Sequence, residues 1–128
     1  MKKVSEGMMR YNAIANSLVT YRDTFQMFTI QEAARDCGVT EMTVRNFESG
    51  KSINFHLFCY YLNNVLYNFK YNTEEMVKNY NHYVKETYKN ESDKVKEDLI
   101  PYFSITRKDV IEKYRTLLAK LESMEDEK

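Results

Sequence analysis

The chain has 128 residues, of which 43% are hydrophobic, enough for one packed domain or for one domain with an appendage. One proline and three glycines supply few of the turns that hairpins need, so the composition favours helices. The formal net charge is zero, without the basic excess of many nucleic-acid binders, and no apolar run approaches the ~20 residues that span a bilayer.

Two helices are predicted in the first third of the chain. Apolar residues spaced near 3.6 predict a first helix over residues 8–26. Thr29 and Glu32 then have the spacing of a capping box, in which each side chain accepts a backbone N–H at a helix start. Gly38 is placed to end this second helix in the left-handed conformation that glycine adopts at low cost. Ala34 offers the small side chain that two closely crossing helices require.

The third and fourth helices are predicted from their caps. Thr40 is expected to cap a helix over residues 41–49, and Gly50 to stop it. Asn54 is expected to cap a fourth helix over residues 55–66. The inward-facing residues of the third helix are predicted to be Val44 and Phe47.

The rear part of the chain is predicted to be helical but interrupted. Thr73 is expected to cap a fifth helix that runs to residue 88. The charged stretch over residues 89–98 is predicted to be a linker or a frayed turn, and Pro101 to break the apolar cluster behind it. Together these segments predict an all-α protein, with a domain over residues 1–72 and a helical extension over residues 73–128 for dimerisation or partner binding.

The last helix carries a short heptad seam. It begins at a second capping-box-like pair, Thr106 and Asp109. Its apolar residues are spaced 4, 3, 4 and 3 apart: Val110, Tyr114, Leu117, Leu121 and Met124. We expect this seam to form a homodimer interface together with further aromatic residues: Tyr80, Tyr83 and Phe103. The alternative is that the seam folds back on its own domain.

Residues that carry enzymatic or metal chemistry are sparse. Cys37 and Cys59 have no CxxC spacing and are expected to be buried reduced thiols, which fits a cytoplasmic location with no signal peptide. His56 and His82 stand alone, without an acid pair, a glycine-rich loop or metal-ligand spacing. We therefore expect neither an enzyme, nor a metal site, nor a cofactor.

One stretch, FTIQEAARDCGVTEMTVRNFESGK over residues 28–51, resembles the helix-turn-helix of phage Cro/CI-type repressors and their xenobiotic-response-element relatives. The residues that match this pattern without a gap are Phe28, Thr29, Ala34, Gly38, Val39, Thr40, Thr43, Val44, Phe47, Glu48, Gly50 and Lys51. The resemblance covers residues ~10 to 70 and implies a five-helix repressor-like domain, with the helix-turn-helix at roughly residues 29 to 50.

The resemblance also implies a set of DNA contacts. The positions that would face the major groove are Thr40, Glu41, Met42, Arg45 and Asn46. Phosphate contacts carry over to the backbone N–H groups near Ser49 and Gly50, to Lys51 and to the region of Thr29. The alternative is that this surface of the third helix is only a solvated helix face.

Three positions depart from the family pattern or need explanation. The second helix opens with Ile30, where the family usually has a Gln that binds phosphate. The third helix opens with Glu41, which repels phosphates. Both departures leave room for a partner other than DNA. Glu48 lies beside Phe47 near the predicted core and needs a buried cation; the family supplies one from the first helix, which implies Arg22 here.

These patterns predict a sequence-specific regulator, acting as a homodimer that represses a nearby promoter through an inverted-repeat operator in double-stranded DNA. The alternative is a phage-type inhibitor of a host or defence protein, anti-CRISPR-like, in which the helix-turn-helix is a scaffold and the rear half binds the target. The two roles are compatible if the front half represses its own gene. The tyrosine-rich stretch over residues 60–88 is expected to contribute to the core and to the dimer surface. The alternative is that its rings form a platform on which bases stack.

Overall fold

A computed structural model describes residues 6–125 of the chain, and the side chains of residues 11–123. Within this part the protein is all-helical, with no strand. Its seven helices are α1 (Glu6–Phe25), α2 (Ile30–Cys37), α3 (Glu41–Glu48), α4 (Phe55–Tyr71), α5 (Thr73–Thr87), α6 (Asp93–Phe103) and α7 (Arg107–Glu125). The expected all-α class is confirmed, whereas the expected helix count was too low.

One hydrophobic core joins all helices except α6. α1 packs against α3, α4, α5 and α7, and α4 packs in addition against α2, α5 and α7. The largest fully buried side chains come from both the front and the rear of the chain: Ile14, Leu18, Val44, Leu57, Tyr61, Val65, Val110 and Leu117. The two segments that the sequence suggested therefore share a single core.

The predicted helix starts are confirmed at four places. The Thr29 hydroxyl accepts the Glu32 N–H at 3.0 Å while Glu32 accepts the Thr29 N–H at 3.1 Å, which completes the capping box of α2. The remaining three caps follow the same chemistry, with Thr40 at α3, Asn54 at α4 and the pair of Thr106 and Asp109 at α7. Thr73 is different, because it is the first residue of α5 and its hydroxyl donates to the Phe69 carbonyl.

The stretch expected to be a linker forms α6 instead. Ser92 caps this helix through a hydrogen bond from the Val95 N–H at 3.4 Å. Pro101 lies inside α6, near its end at Phe103. A proline there removes one intrahelical hydrogen bond in the last turn and does not interrupt the turns before it, so the helix persists.

The heptad seam of α7 packs within the chain, which corrects the expectation that it forms a dimer interface. Val110 and Leu117 are completely buried in the core. Tyr114 stacks on Phe69 with ring centroids 5.7 Å apart, and Leu121 is half-buried against the same core. The side chain of Met124 lies outside those that the structure describes. Val110 and Leu117 are therefore unavailable to a second copy, because the core that α7 forms with α1, α4 and α5 already covers them.

The tyrosine-rich stretch is divided between core and surface. Tyr61 is fully buried, whereas Tyr67, Tyr71 and Tyr83 are more than half exposed. Tyr80 is half-buried against Phe25. The stretch therefore contributes to the core at some positions and leaves aromatic rings on the surface at others.

Replacing Gly38 with alanine is expected to destabilise the fold by about 1–2 kcal/mol. Gly38 has φ 67°, a left-handed conformation in which a Cβ is strained. Space is not the cause, because a Cβ at this position would meet no atom within 4 Å. Urea denaturation of the variant measures the loss, and Gly38→Asn is the matched control, since asparagine tolerates this conformation better. Equal stability of the alanine variant and the parent would contradict the conformational explanation.

Candidate functional site

The α2–α3 unit is built around a short turn of three residues, Gly38 to Thr40. The Gly38 N–H donates to the Arg35 carbonyl at 3.3 Å, and the Val39 N–H donates to the Ala34 carbonyl at 3.0 Å. These two bonds occupy carbonyls at the end of α2 that no helical N–H can reach. The chain then turns directly into α3, whose start is fixed by the Thr40 cap.

The face of α3 that packs inside is small and apolar. Val44 is fully buried, Phe47 is 4% exposed, and the ring of Phe47 meets Tyr61 edge-on at 5.0 Å. The small side chains of Ala33 and Ala34 are the buried residues of α2 beside it. Since side chains on a helix repeat every 3.6 residues, burying Val44 and Phe47 leaves a separate face of α3 open to solvent.

The open face contains most of the predicted groove-facing residues. Thr40, Glu41 and Arg45 are exposed, and Met42 is 63% exposed. Asn46 is half-buried, and its backbone carbonyl accepts the N–H groups of Lys51 and Ser52 from the loop behind α3.

Arg45 and Lys51 are the cations of this unit that have no ion pair among the described residues. Both side chains are exposed. The third cation of the segment, Arg35, lies 3.1 Å from the Asp36 carboxylate. Arg45 and Lys51 are therefore the two positive groups that the unit presents to an anion.

The loop after α3 uses its own backbone donors. The N–H groups of Ser49, Gly50 and Lys51 donate to carbonyls of Arg45, Phe47 and Asn46, at 2.9, 3.2 and 2.9 Å respectively. The expectation that the N–H groups near Ser49 and Gly50 hold a phosphate is therefore corrected, because these donors are already engaged. What the loop offers an anion is the exposed Lys51 ammonium, since the Ser49 hydroxyl donates to the Asn46 carbonyl at 3.3 Å.

A buried ion pair holds the end of α3 in place. Arg22 donates from Nε to Glu48 Oε2 at 2.6 Å and from Nη2 to Glu48 Oε1 at 3.1 Å. The two side chains are only 10% and 14% exposed. Arg22 Nη1 also donates to the Phe28 carbonyl at 3.1 Å, so one guanidinium ties α1 to both ends of the α2–α3 unit. The pair expected from the sequence is confirmed.

Tyr61 on α4 completes this centre, and the sequence interpretation did not include it. Its hydroxyl donates to Glu48 Oε2. Burial, and then the hydrogen bond to Glu48, raise the pKa of Tyr61, so the hydroxyl keeps its proton and remains a donor. Glu48 is therefore satisfied by donors from α1 and α4 and has a structural role.

A polar contact between α2 and α4 was also missed. The Tyr60 hydroxyl donates to Asp36 Oδ2 at 2.7 Å. This bond, and then the one from Arg35, lower the pKa of Asp36. Burial and the bond to Asp36 raise the pKa of Tyr60, which stays protonated. The contact fixes the outer end of α2 against α4, and no short-range pattern connects residues so far apart in the sequence.

The first two residues of α2 differ in their exposure to solvent. Ile30 is half-buried and packs against the core, whereas Gln31 is exposed. Thr29 is also exposed, with its hydroxyl accepting the capping bond from Glu32. The start of α2 therefore offers hydroxyl and amide groups to a ligand, and Ile30 contributes to packing.

The described residues contain no group of three or more His, Cys, Asp or Glu side chains placed to hold a metal ion. Cys37 and Cys59 are half-buried and unbonded, and burial raises the pKa of the Cys37 thiol. His56 and His82 are exposed. Across residues 6–125, none of the helices has the length and apolarity that a membrane span requires.

The α2–α3 unit thus has a firmly anchored inner side and an outer side with free polar and cationic groups. Comparisons of the chain with protein-family models, with curated proteins and with solved structures each found no match.

Proposed function

We propose that the chain is a sequence-specific DNA-binding regulator of the helix-turn-helix type, acting in the cytoplasm as a homodimeric repressor of the kind found in phages and mobile elements. The observation that carries the proposal is the rigid presentation of α3. Its inner side is held by Val44, Phe47 and the Glu48 centre, while its outer side exposes Met42 and Arg45. A helix held in this way is suited to enter a major groove.

Four side chains of α3 suit particular base edges. Arg45 suits guanine through paired hydrogen bonds, and Asn46 suits adenine in the same manner. Glu41 suits the amino group of cytosine, and Met42 suits the methyl group of thymine. Glu41 is also exposed and anionic, so it repels phosphates and penalises a misplaced register.

Phosphate contacts are proposed for groups that flank α3. Lys51 lies in the loop behind it, and Thr29 lies at the start of α2. These contacts would fix the position of α3 on the duplex without selecting a base. Because the chain has zero net charge, such local cations supply the attraction that a basic protein draws from its whole surface.

Replacing Arg45 or Asn46 with alanine is expected to weaken binding to the preferred sequence by about 1–3 kcal/mol each. The preferred sequence is first obtained by selecting bound duplexes from a random pool with the purified chain. Fluorescence anisotropy then gives the dissociation constants on the selected duplex and on a scrambled duplex. The loss should fall on the selected duplex, because lost base contacts reduce discrimination more than general affinity.

The matched control is Arg115→Ala, which removes an exposed arginine on α7, far along the chain from the α2–α3 unit. This variant should bind as the parent does. Failure of the parent to enrich any sequence would contradict the proposed function. So would a double variant of Arg45 and Asn46 that binds the selected duplex like the parent.

A second candidate function is inhibition of a host or defence protein through the rear half of the chain. Large exposed aromatic rings there favour it, since Tyr83 is 62% and Tyr102 78% exposed. Two further features weaken phosphate binding and so favour this second function. Ile30 packs into the core, and Glu41 is exposed. A parent that enriches no duplex but binds one purified defence protein, and loses that binding on Tyr102→Ser, would favour this function.

A further inference from the structure

A groove between the end of α6 and the face of α7 has no role in the proposed DNA contacts. We call it the α6–α7 groove, and its volume is about 560 Å3. Its apolar wall consists of Tyr21, Tyr102, Phe103 and Ile105. Glu112 and Lys113 add charged groups to its rim.

Two neighbouring aromatic residues of this groove are exposed. Tyr102 is 78% exposed and Phe103 is 41% exposed, and the two rings meet edge-on at 5.0 Å. Phe103 is held in place by stacking on Tyr88 at 6.0 Å. Adjacent exposed rings that are fixed by neighbours are typical of interaction surfaces.

We propose that the α6–α7 groove binds a second copy of this chain in a two-fold symmetric dimer. The charges on its rim favour this occupant. Glu112 and Lys113 are exposed neighbours of opposite sign, and neither has an ion pair among the described residues. In a two-fold contact Glu112 of one copy meets Lys113 of the other, and the same pair forms twice. Asp109 lines the groove as well but is engaged in the cap of α7.

The charge of the whole chain also favours self-association. The formal net charge is zero, so two copies approach without the repulsion that a strongly charged chain would experience. A strongly acidic or basic partner would gain no corresponding attraction from this chain.

The position of the groove fits the need for two DNA-binding helices. The principal packing partner of α6 is α5, and those of α7 are α1, α4 and α5. The α2–α3 unit packs instead on α1 and α4. A second copy seated in the groove therefore leaves the outer face of α3 uncovered. This step depends on the proposed function, because a specific regulator of this kind presents two such helices about one DNA turn apart.

The first test measures the mass of the full-length chain by sedimentation velocity over a range of concentrations. The parent should be dimeric at about 10 µM, and Tyr102→Ser should raise the dimer dissociation constant about tenfold or more. Tyr102 is the most exposed large hydrophobic residue of those the structure describes, so its loss leaves the fold intact. The matched control is the double variant Tyr67→Ser and Tyr71→Ser, two exposed rings on α4 that should not affect the mass.

The second test exchanges charges on the rim. Glu112→Lys and Lys113→Glu should each weaken the dimer, because a two-fold contact then places like charges opposite each other. The double variant with both exchanges should recover the dimer, since the pairs are restored in reverse order. Recovery is a result that a loss of folding cannot produce.

A parent that stays monomeric at 100 µM overturns the inference, and so does a Tyr102→Ser variant with parental mass. A double charge exchange that remains monomeric overturns the two-fold arrangement. The proposed function fails separately: a dimer that enriches no duplex leaves the groove assignment standing. A monomer that enriches a single half-site leaves the DNA-binding proposal standing without this interface.

Discussion

Replacing Glu48 with alanine is expected to lower the free energy of unfolding by about 3–5 kcal/mol. The substitution leaves the guanidinium of Arg22 without its carboxylate partner in a site where that side chain is 10% exposed. It also removes the acceptor of the Tyr61 hydroxyl, which is fully buried. An unpaired buried cation and an unpaired buried hydroxyl both carry the cost of desolvation. Guanidinium chloride denaturation, followed by far-UV circular dichroism, measures the loss.

The control for charge alone is Glu97→Ala, which removes an exposed glutamate from α6 and should change stability by less than about 0.5 kcal/mol. A second variant separates pairing from packing. Combining Arg22→Met, Glu48→Leu and Tyr61→Phe removes the polar groups together, and this triple variant should be more stable than Glu48→Ala alone. A Glu48→Ala variant as stable as the parent would show that the buried centre contributes nothing to folding.

This centre illustrates which part of the site the sequence predicts. Glu48 beside the apolar Phe47 demands a cation, and the family pattern points to Arg22 on the first helix. The sequence does not predict the hydrogen bond from Tyr61, because a tyrosine at helical spacing can lie in the core, lie on the surface or donate a buried hydrogen bond. Only the tertiary packing, which places the Tyr61 ring against Phe28 and Phe47 and its hydroxyl beside Glu48, decides which of these roles Tyr61 has.

Local signals predict helix starts better than helix ends. The caps at Thr29, Thr40 and Asn54 each depend on one side chain and the next few N–H groups, so the sequence contains all the information needed. α4 extends to Tyr71, five residues past its predicted end at 66, because Phe69 is buried in the core. That burial depends on α1 and α7, whose rings contact Phe69 from distant parts of the chain.

The stretch assigned to a linker shows the same limit. Charged residues over 89–98 are as compatible with an exposed helix as with a flexible connection. Ser92 is the one local signal for a helix start there, and it caps α6. Asn81 on α5 then holds the end of this segment by exchanging two hydrogen bonds with the backbone of Ile105, at 2.9 and 2.8 Å. The periodicity of apolar residues does not predict that Asn81 of α5 fixes the connection between α6 and α7.

Replacing Leu117 with alanine is expected to destabilise the monomer by about 2–5 kcal/mol. Leu117 is completely buried, and α7 packs against α1, α4 and α5. Truncation would remove apolar contacts and leave a cavity in the core that the surrounding helices only partly fill. The adjacent Leu118 is 36% exposed, so Leu118→Ala is a control of identical chemistry on the same helix, with an expected loss below about 1 kcal/mol.

This pair of variants also decides what a heptad spacing means in this chain. A seam spaced for a coiled coil and a seam that packs on its own domain have the same pattern of apolar residues, so periodicity alone does not separate them. The concentration dependence of unfolding does. If Leu117 packed between two copies, the stability lost on its truncation would be small at low protein concentration and would grow as the concentration rises, because association stabilises by mass action and the variant would associate more weakly. For a residue in the monomer core, the difference between Leu117→Ala and the parent stays constant from about 1 to 100 µM. A loss of stability that grows with protein concentration, or equal losses for the two leucines, would contradict the intramolecular packing of α7.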